Sequence, residues 1–132
     1  MSAPQKPAPT PLTREEILAA DDIVSETVAV PEWRRGGTGT VIVRGLMGDE
    51  RDDFEASCIR GKGRKTEVNY RNARAKLAAR CMRNPDGSLM FSDDDVVALG
   101  KKSAAALNRV YEVAARLSGL TEEDLEELAG NG

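Results

Sequence analysis

The sequence has no histidine, only two cysteines and only five aromatic residues. The absence of histidine excludes Ser-His-Asp and Cys-His catalytic sets, and zinc sites of the HExxH or Cys₂His₂ kind. Cys58 and Cys81 lie 23 positions apart and form no CxxC motif. Two such cysteines are too few for a disulfide-stabilised fold, so we expect buried structural thiols in a reducing cytoplasm.

Long hydrophobic runs are also missing. No segment approaches the roughly 18 apolar residues of a membrane-spanning helix, and the start of the chain lacks the apolar core of a signal peptide. The length of 132 residues predicts one small domain with a single core, which the few aromatics make aliphatic and alanine-rich. We therefore expect a soluble protein that is not an enzyme, contacts no membrane, binds no cofactor and holds no metal.

Proline is concentrated at the start of the chain, where residues 1–11 hold four of the six prolines. This composition predicts a disordered tail over 1–11, followed by a folded domain over 12–130. The sequence Thr13-Arg-Glu-Glu16 is a capping box, which predicts a short helix over 13–20. Two segments rich in β-branched residues, 26–33 and 40–45, flank a glycine-rich turn and predict a β-hairpin whose first strand ends near Pro31.

The rest of the chain has helical periodicity. Helices are predicted over 49–59, 67–83, 92–99, 101–117 and 121–129, with a mobile basic loop over 60–66. In the helix over 67–83, one apolar stripe contains Tyr70, Ala73, Leu77 and Cys81. In the helix over 101–117, Glu112 and Arg116 are spaced to form an ion pair. The predicted fold class is α+β, with an N-terminal β-hairpin and a helical majority of about four to six helices.

Charge is unevenly distributed, although the net charge is only −3. Residues 60–83 carry nine basic residues against Glu67 alone, a net of +8. Clustered cations suit phosphate contacts, so a small nucleic-acid-binding regulator that uses 60–83 is the alternative function. In a helix, however, these cations would flank the apolar stripe on two sides, with only Tyr70 among them to stack on bases. That arrangement favours a solvated helix or an acidic protein partner.

Three further motifs resemble functional sites. The run Asp93-Asp94-Asp95 lacks the spacing of a calcium loop, and it follows Ser92 as the acidic first turn of a helix. The glycines of 36–39 precede a strand and not a helix, which indicates a hairpin turn and not a phosphate-binding loop. Trp33 either anchors a partner or closes the hydrophobic end of the hairpin.

An ordered series of segments over residues 12–130 resembles the tail assembly chaperones of long-tailed, siphovirus-type bacteriophages. The series is Leu12-Thr-Arg-Glu-Glu-Ile-Leu-Ala-Ala-Asp-Asp22, Val28-Ala-Val-Pro-Glu-Trp33, Thr40-Val-Ile-Val-Arg-Gly-Leu46, Glu50-Arg-Asp-Asp-Phe-Glu55, Phe91-Ser-Asp-Asp-Asp-Val96, Leu99-Gly-Lys-Lys-Ser-Ala-Ala-Ala-Leu107 and Ala115-Arg-Leu-Ser-Gly-Leu-Thr-Glu-Glu-Asp124. The chain departs from the family at Met47, where a capping Ser or Thr is usual, and unless Asp49 serves as the cap this weakens the helix start by roughly 1 kcal/mol. It also departs in a longer hairpin turn and in the basic insertion over 61–65.

The resemblance implies a non-enzymatic assembly factor in the host bacterial cytoplasm. Such a protein binds the tape measure protein, keeps it soluble while tail tube subunits polymerise, and is absent from the mature virion. Further partners that the resemblance implies are the tail tube protein, a longer frameshifted form of the chain and a second copy of itself. We expect Arg64, Lys65, Arg71 and Arg74 to meet acidic stretches of the client or of a neighbouring copy. A structural virion component remains a third hypothesis.

Overall fold

The computed structural model describes residues 8–60, 67–68, 71–121 and 123. Within them the chain forms five α-helices and a three-stranded antiparallel sheet, with a separate two-stranded ribbon. The elements in chain order are α1 (Arg14–Ala19), β1 (Ser25–Ala29), β2 (Thr40–Arg44), α2 (Gly48–Ser57), β3 (Ile59–Arg60), β4 (Glu67–Val68), α3 (Ala73–Cys81), β5 (Met82–Arg83), α4 (Val96–Leu99) and α5 (Ala104–Leu117). The predicted α+β class, with its N-terminal hairpin and helical majority, is confirmed.

The hairpin pairs β1 with β2 from Ser25 opposite Arg44 to Ala29 opposite Thr40. Gly36 and Gly37 in the turn adopt φ values of 98° and 77°, which side chains other than glycine rarely tolerate. The first strand ends before Pro31, as predicted, because proline begins a 3-10 turn over Pro31–Trp33.

A third strand was not predicted from the sequence. β5 pairs with the second edge of β2, with Val43 opposite Met82 and Ile42 opposite Arg83, so β2 is the central strand. Sequence periodicity wrongly assigned residues 82–83 to the end of a helix. The helix ends at Cys81 because Met82 adopts extended geometry and pairs with the sheet.

The predicted start of that helix at residue 67 is also wrong. Glu67 and Val68 form β4 and pair with β3, and α3 begins only after Asn72, which has a left-handed φ of 60°. Arg60, placed in the basic loop by the sequence, belongs to β3. The rest of that loop, Tyr70 and most of the predicted helix over 121–129 lie outside the described residues.

The core is one cluster in which α3 and α5 pack against the sheet and α2. Its largest fully buried side chains are Phe54, Leu77, Met82, Val30, Val43, Val110 and Cys81. Six alanines in the cluster have less than 4% of their surface exposed, which confirms an aliphatic, alanine-rich core. Both cysteines are buried free thiols, and burial raises the pKa of Cys81 to about 11.

The helix termini refine the predicted boundaries. α5 begins at Ala104, where the Ser103 hydroxyl accepts the Ala106 N–H at 3.3 Å, so residues 101–103 are a turn and not helix. At the start of α2 the Glu50 carboxylate accepts the Met47 N–H at 2.8 Å, so Met47, and not Asp49, occupies the capping position. The acidic run follows Ser92 as a 3-10 turn, which confirms the first-turn interpretation.

The predicted Glu112–Arg116 ion pair is wrong. Arg116 contacts Glu26 of the hairpin at 2.5 Å, and Glu112 accepts a hydrogen bond from Asn108 at 3.1 Å. Arg116 pairs with Glu26 and not with Glu112 because α5 packs against the hairpin. This packing brings the Glu26 carboxylate within reach of the Arg116 side chain.

Candidate partner-binding groove

An open groove lies where the end of the hairpin meets α4 and the turn that follows it. Its volume is about 580 Å³, within the range of about 300–1,000 Å³ that ligand clefts occupy. The apolar lining consists of Trp33, Phe91, Ala98 and Leu99. The polar lining consists of Glu32, Asp95, Lys101, Lys102 and Ser103. We call this feature the Trp33 groove.

The position of Trp33 fits the role of closing the hydrophobic end of the hairpin, and its role as a partner anchor stays a prediction. Its side chain is half-buried against the core cluster at the end of the hairpin, and it also lines the groove. The indole Nε1 is fully buried and has no hydrogen-bond partner among the described residues. A buried donor without a partner carries a desolvation cost, so this N–H lowers the stability of the hairpin end.

Glu32 is held in place by α5. Arg109 donates from both terminal nitrogens to the two Glu32 carboxylate oxygens, each at 2.9 Å. These hydrogen bonds lower the pKa of Glu32 to about 2, so Glu32 is ionised at neutral pH. Its negative charge is balanced by the positive charge of Arg109. The ion pair fixes the 3-10 turn that carries Trp33 and leaves Glu32 with little repulsion toward an acidic ligand.

Lys101 and Lys102 lie in the turn between α4 and α5. Their backbone N–H groups donate to the carbonyls of Ala98 (3.2 Å) and Leu99 (3.1 Å), and both side chains are exposed. Within the described part of the chain, neither lysine forms an ion pair. Asp95 is already engaged by the Ser92 N–H at 2.9 Å. The groove therefore offers apolar surface beside two available positive charges.

The cations of the basic segment contact neighbouring elements on both sides of α3. On one side Lys76 donates to the Ser57 carbonyl (2.9 Å), Arg80 contacts Asp93 (3.3 Å) and Arg83 contacts Glu50 (3.6 Å). On the other side the Arg74 guanidinium lies 5.5 Å from the centre of the Tyr111 ring. The described part of the segment is therefore not a single basic face, in agreement with the two-sided arrangement predicted for a helix.

Of the predicted partner-binding residues, the structure describes three. Arg71 is exposed just before α3, Arg74 is exposed on α3, and Trp33 lies in the groove. Arg64 and Lys65 lie outside the described residues. Sequence reasoning missed Phe91, Ala98 and the two lysines as one surface with Trp33. No local signal identifies that surface, because it forms only when the hairpin end meets α4.

A second cleft, of about 620 Å³, lies between the N-terminal ends of α3 and α5. Arg74 and Lys102 are its charged lining residues, and Asn72 and Asn108 add amide groups. Positive side chains beside two helix N-termini favour anions. We call it the α3–α5 cleft.

The described residues contain neither a membrane-spanning helix nor a metal-binding cluster of side chains. None of the helices there is long and apolar enough to cross a membrane, and no group of three or more Cys, Asp or Glu side chains is arranged to hold a metal ion. Comparison of the chain with protein-family models, with curated proteins and with solved structures gives no match.

Proposed function

We propose that this protein is a phage tail assembly chaperone that binds the tape measure protein and keeps it soluble during tail tube polymerisation. Two independent features support the proposal: the ordered resemblance over residues 12–130 and the Trp33 groove. On this proposal the protein acts in the host bacterial cytoplasm and leaves before the virion is complete. A longer frameshifted form and the tail tube protein are further proposed partners.

The Trp33 groove is the observation that carries the proposal. An amphipathic client helix docks by placing apolar anchors at i, i+3 and i+4 into an apolar groove. Trp33, Phe91 and Ala98 offer that surface, and the lysines beside it suit acidic residues at the flanks of the client helix. One such groove binds weakly, but many copies along one long client gain by multivalency.

The test is co-expression with the tape measure protein of the same phage, followed by pulldown and measurement of the soluble client fraction. Ala98→Arg places a long charged side chain in the groove, and Val97→Arg makes the same change at the neighbouring exposed position outside it. We expect the wild-type protein and Val97→Arg to solubilise and retain the client. Ala98→Arg should retain at least about tenfold less, the factor that corresponds to roughly 1.4 kcal/mol.

Two results would contradict the proposal. One is a client that stays insoluble and unbound with the wild-type protein. The other is equal loss with both arginine variants, which would assign binding to a surface other than the groove.

The α3–α5 cleft favours a second candidate function, a nucleic-acid-binding regulator, because Arg74 belongs to the basic segment and lies beside two helix N-termini. Phosphate contacts make retention strongly salt-dependent. If this function holds, the wild-type protein retains DNA or RNA at low salt, and Arg74→Glu combined with Lys102→Glu releases it. The client pulldown would then be negative.

A further inference from the structure

The helix α1 is exposed along its whole length. None of its six residues is buried, yet its first turn carries a complete capping box. The Thr13 N–H donates to the Glu16 carboxylate and the Glu16 N–H donates to the Thr13 hydroxyl, each at 3.1 Å. A helix this short is marginal without packing, even when it is well capped. A capped but unpacked helix that precedes the hairpin in the chain is expected of a segment that gains stability by docking on another surface.

The large apolar side chains of α1, and Leu12 just before it, are mostly exposed in the monomer. Leu12, Ile17 and Leu18 have 66%, 58% and 67% of their surface exposed. Leu12 precedes the N-cap and Ile17 is the fourth helical residue, which are the positions of a hydrophobic staple. Three large aliphatic side chains on so short a segment form the type of apolar anchor that fits a groove.

The charge of this segment complements the Trp33 groove. Residues 12–22 carry Arg14 and four acidic residues, a net of −3. The acidic residues are Glu15, Glu16, Asp21 and Asp22. The groove supplies Lys101 and Lys102, both exposed and both without an ion pair in the described part of the chain. Acidic residues flanking aliphatic anchors therefore match lysines flanking an apolar lining.

We propose that α1 of one copy docks in the Trp33 groove of a second copy, in a reciprocal exchange. The hairpin makes exchange between copies more favourable than docking on the same chain. The linker after α1 enters β1 at Ser25, whereas Trp33 lies beyond the other end of that strand. The two ends of β1 are about 17 Å apart, for five residues at 3.4 Å each. The five residues 20–24 would have to run fully extended back along the hairpin, while a second copy has no such tether.

The exchange gives the groove an occupant in the absence of client. Because the proposed function assigns the same groove to the tape measure protein, the client would displace α1, and assembly would be coupled to self-dissociation. This coupling rests on the proposed function, but the exchange itself is tested without any client. Failure of the exchange would leave client binding unaffected, and failure of client binding would leave the exchange intact.

The first test measures self-association of the full chain by sedimentation equilibrium. We expect concentration-dependent dimers, and Leu18→Asp should weaken association by about tenfold or more, as the loss of one buried leucine predicts. Leu89→Asp changes another exposed leucine, one outside both α1 and the groove, and should leave association unchanged. Since Leu18 is 67% exposed in the monomer, an unchanged thermal transition verifies that the Leu18 variant is folded.

Charge reversal adds a test of pairing. Lys101→Glu with Lys102→Glu should abolish self-association, and so should Glu15→Lys with Asp22→Lys. Mixing the two variants should restore dimers. In the mixed dimer, the acidic α1 of one chain meets an unchanged groove with its lysines, and the lysine-bearing α1 of the other chain meets the groove that now carries glutamates. Two variants that stay monomeric when mixed would argue against this pairing of surfaces.

The second test assigns the contact by disulfide cross-linking in the presence of an oxidant. Cys58 and Cys81 are buried, with 2% and 0% exposed, so they do not compete. A mixture of Leu18→Cys chains and Ala98→Cys chains should give a mixed dimer, whereas Leu18→Cys with Asp52→Cys, an exposed position on α2, should not. A strictly monomeric wild-type protein, or a Leu18→Cys/Ala98→Cys variant that closes its disulfide within one chain, would overturn the proposal.

Discussion

Glu50 links α2 to the sheet through two arginines. Its carboxylate accepts the Met47 N–H and a short hydrogen bond from Arg44 at 2.5 Å, and it lies 3.6 Å from Arg83. Burial opposes the charge, but the Met47 N–H and the two guanidinium groups outweigh it and lower the pKa of Glu50. Arg83, only 8% exposed, would be a buried charge without a carboxylate if Glu50 were neutral.

Replacing Glu50 by glutamine should therefore destabilise the protein. We expect Glu50→Gln to lower the free energy of unfolding by about 1.5–3 kcal/mol, the usual value for hydrogen bonds to charged groups. Glu55→Gln is the matched control on the same helix, since Glu55 is half-exposed and, among the described residues, pairs with Arg51 at 3.0 Å. An exposed pair of that kind is worth about 0.3–0.5 kcal/mol. Equal losses in urea denaturation would refute the role given to Glu50.

The sequence contains Glu50, Arg44 and Arg83, but it could not show that these three residues form a cluster. Glu50 stands in an acidic first turn, which explains its place on the helix without reference to Arg44 or Arg83. The cluster exists because β5 joins β2 and brings Arg83 beside Arg44. Periodicity places residues relative to their own helix or strand, and it contains no information on which strands will be neighbours.

At the scale of elements, α5 is bound to the hairpin by two surface ion pairs. Arg109 holds Glu32 and Arg116 holds Glu26, in both cases through hydrogen bonds from the guanidinium group. These hydrogen bonds lower the pKa values of both glutamates, that of Glu32 to about 2. The Arg109–Glu32 pair lies at the hairpin end that carries Trp33, whereas the Arg116–Glu26 pair lies near the start of β1, at the opposite end of the strand.

The ion pairs predict a specific pH dependence. The folded-state pKa of Glu32 lies below its ordinary value of 4.5, so the stabilisation is complete above that value and is lost as the pH falls toward about 2. Glu26→Gln combined with Glu32→Gln should therefore lower the thermal transition temperature at neutral pH. The difference from the wild-type protein should shrink across that acidic window. Arg109→Gln combined with Arg116→Gln should behave in the same way, and a pH-independent difference would contradict the assignment.

Which elements could be predicted depended on where their determinants lie. The hairpin, α1 and the capped turn before α4 have local signals, namely β-branched runs, turn glycines and capping boxes, and all three are confirmed, although α4 itself begins only at Val96. β4 and β5 were missed because two-residue strands have no periodicity of their own and take their conformation from a partner strand. The start of α3 was wrong because the apolar periodicity from Tyr70 to Cys81 favoured one continuous helix and outweighed Asn72, a residue type that tolerates the left-handed backbone.

At the scale of the whole molecule, the groove forms only when segments that are distant in the sequence pack together. Trp33 lies in the connection between β1 and β2, Phe91 precedes the acidic turn, and the two lysines follow α4. The sequence identified Trp33 as a candidate anchor but assigned partner binding mainly to the basic segment. Long-range packing decides which of several exposed residues share a surface, and a single sequence supplies no pairwise information of that kind.

The same packing predicts how the molecule unfolds. One core cluster includes residues of the hairpin, α2, α3, α4 and α5, and Trp33 packs against it. The hairpin end and the helices should therefore unfold in one cooperative transition. Because Trp33 is the only tryptophan, its fluorescence reports the hairpin end and the groove, while far-ultraviolet circular dichroism reports the helices. We expect the two urea transitions to share one midpoint. A fluorescence transition at lower urea would mean that the groove opens before the core, and that it is not a preformed docking surface.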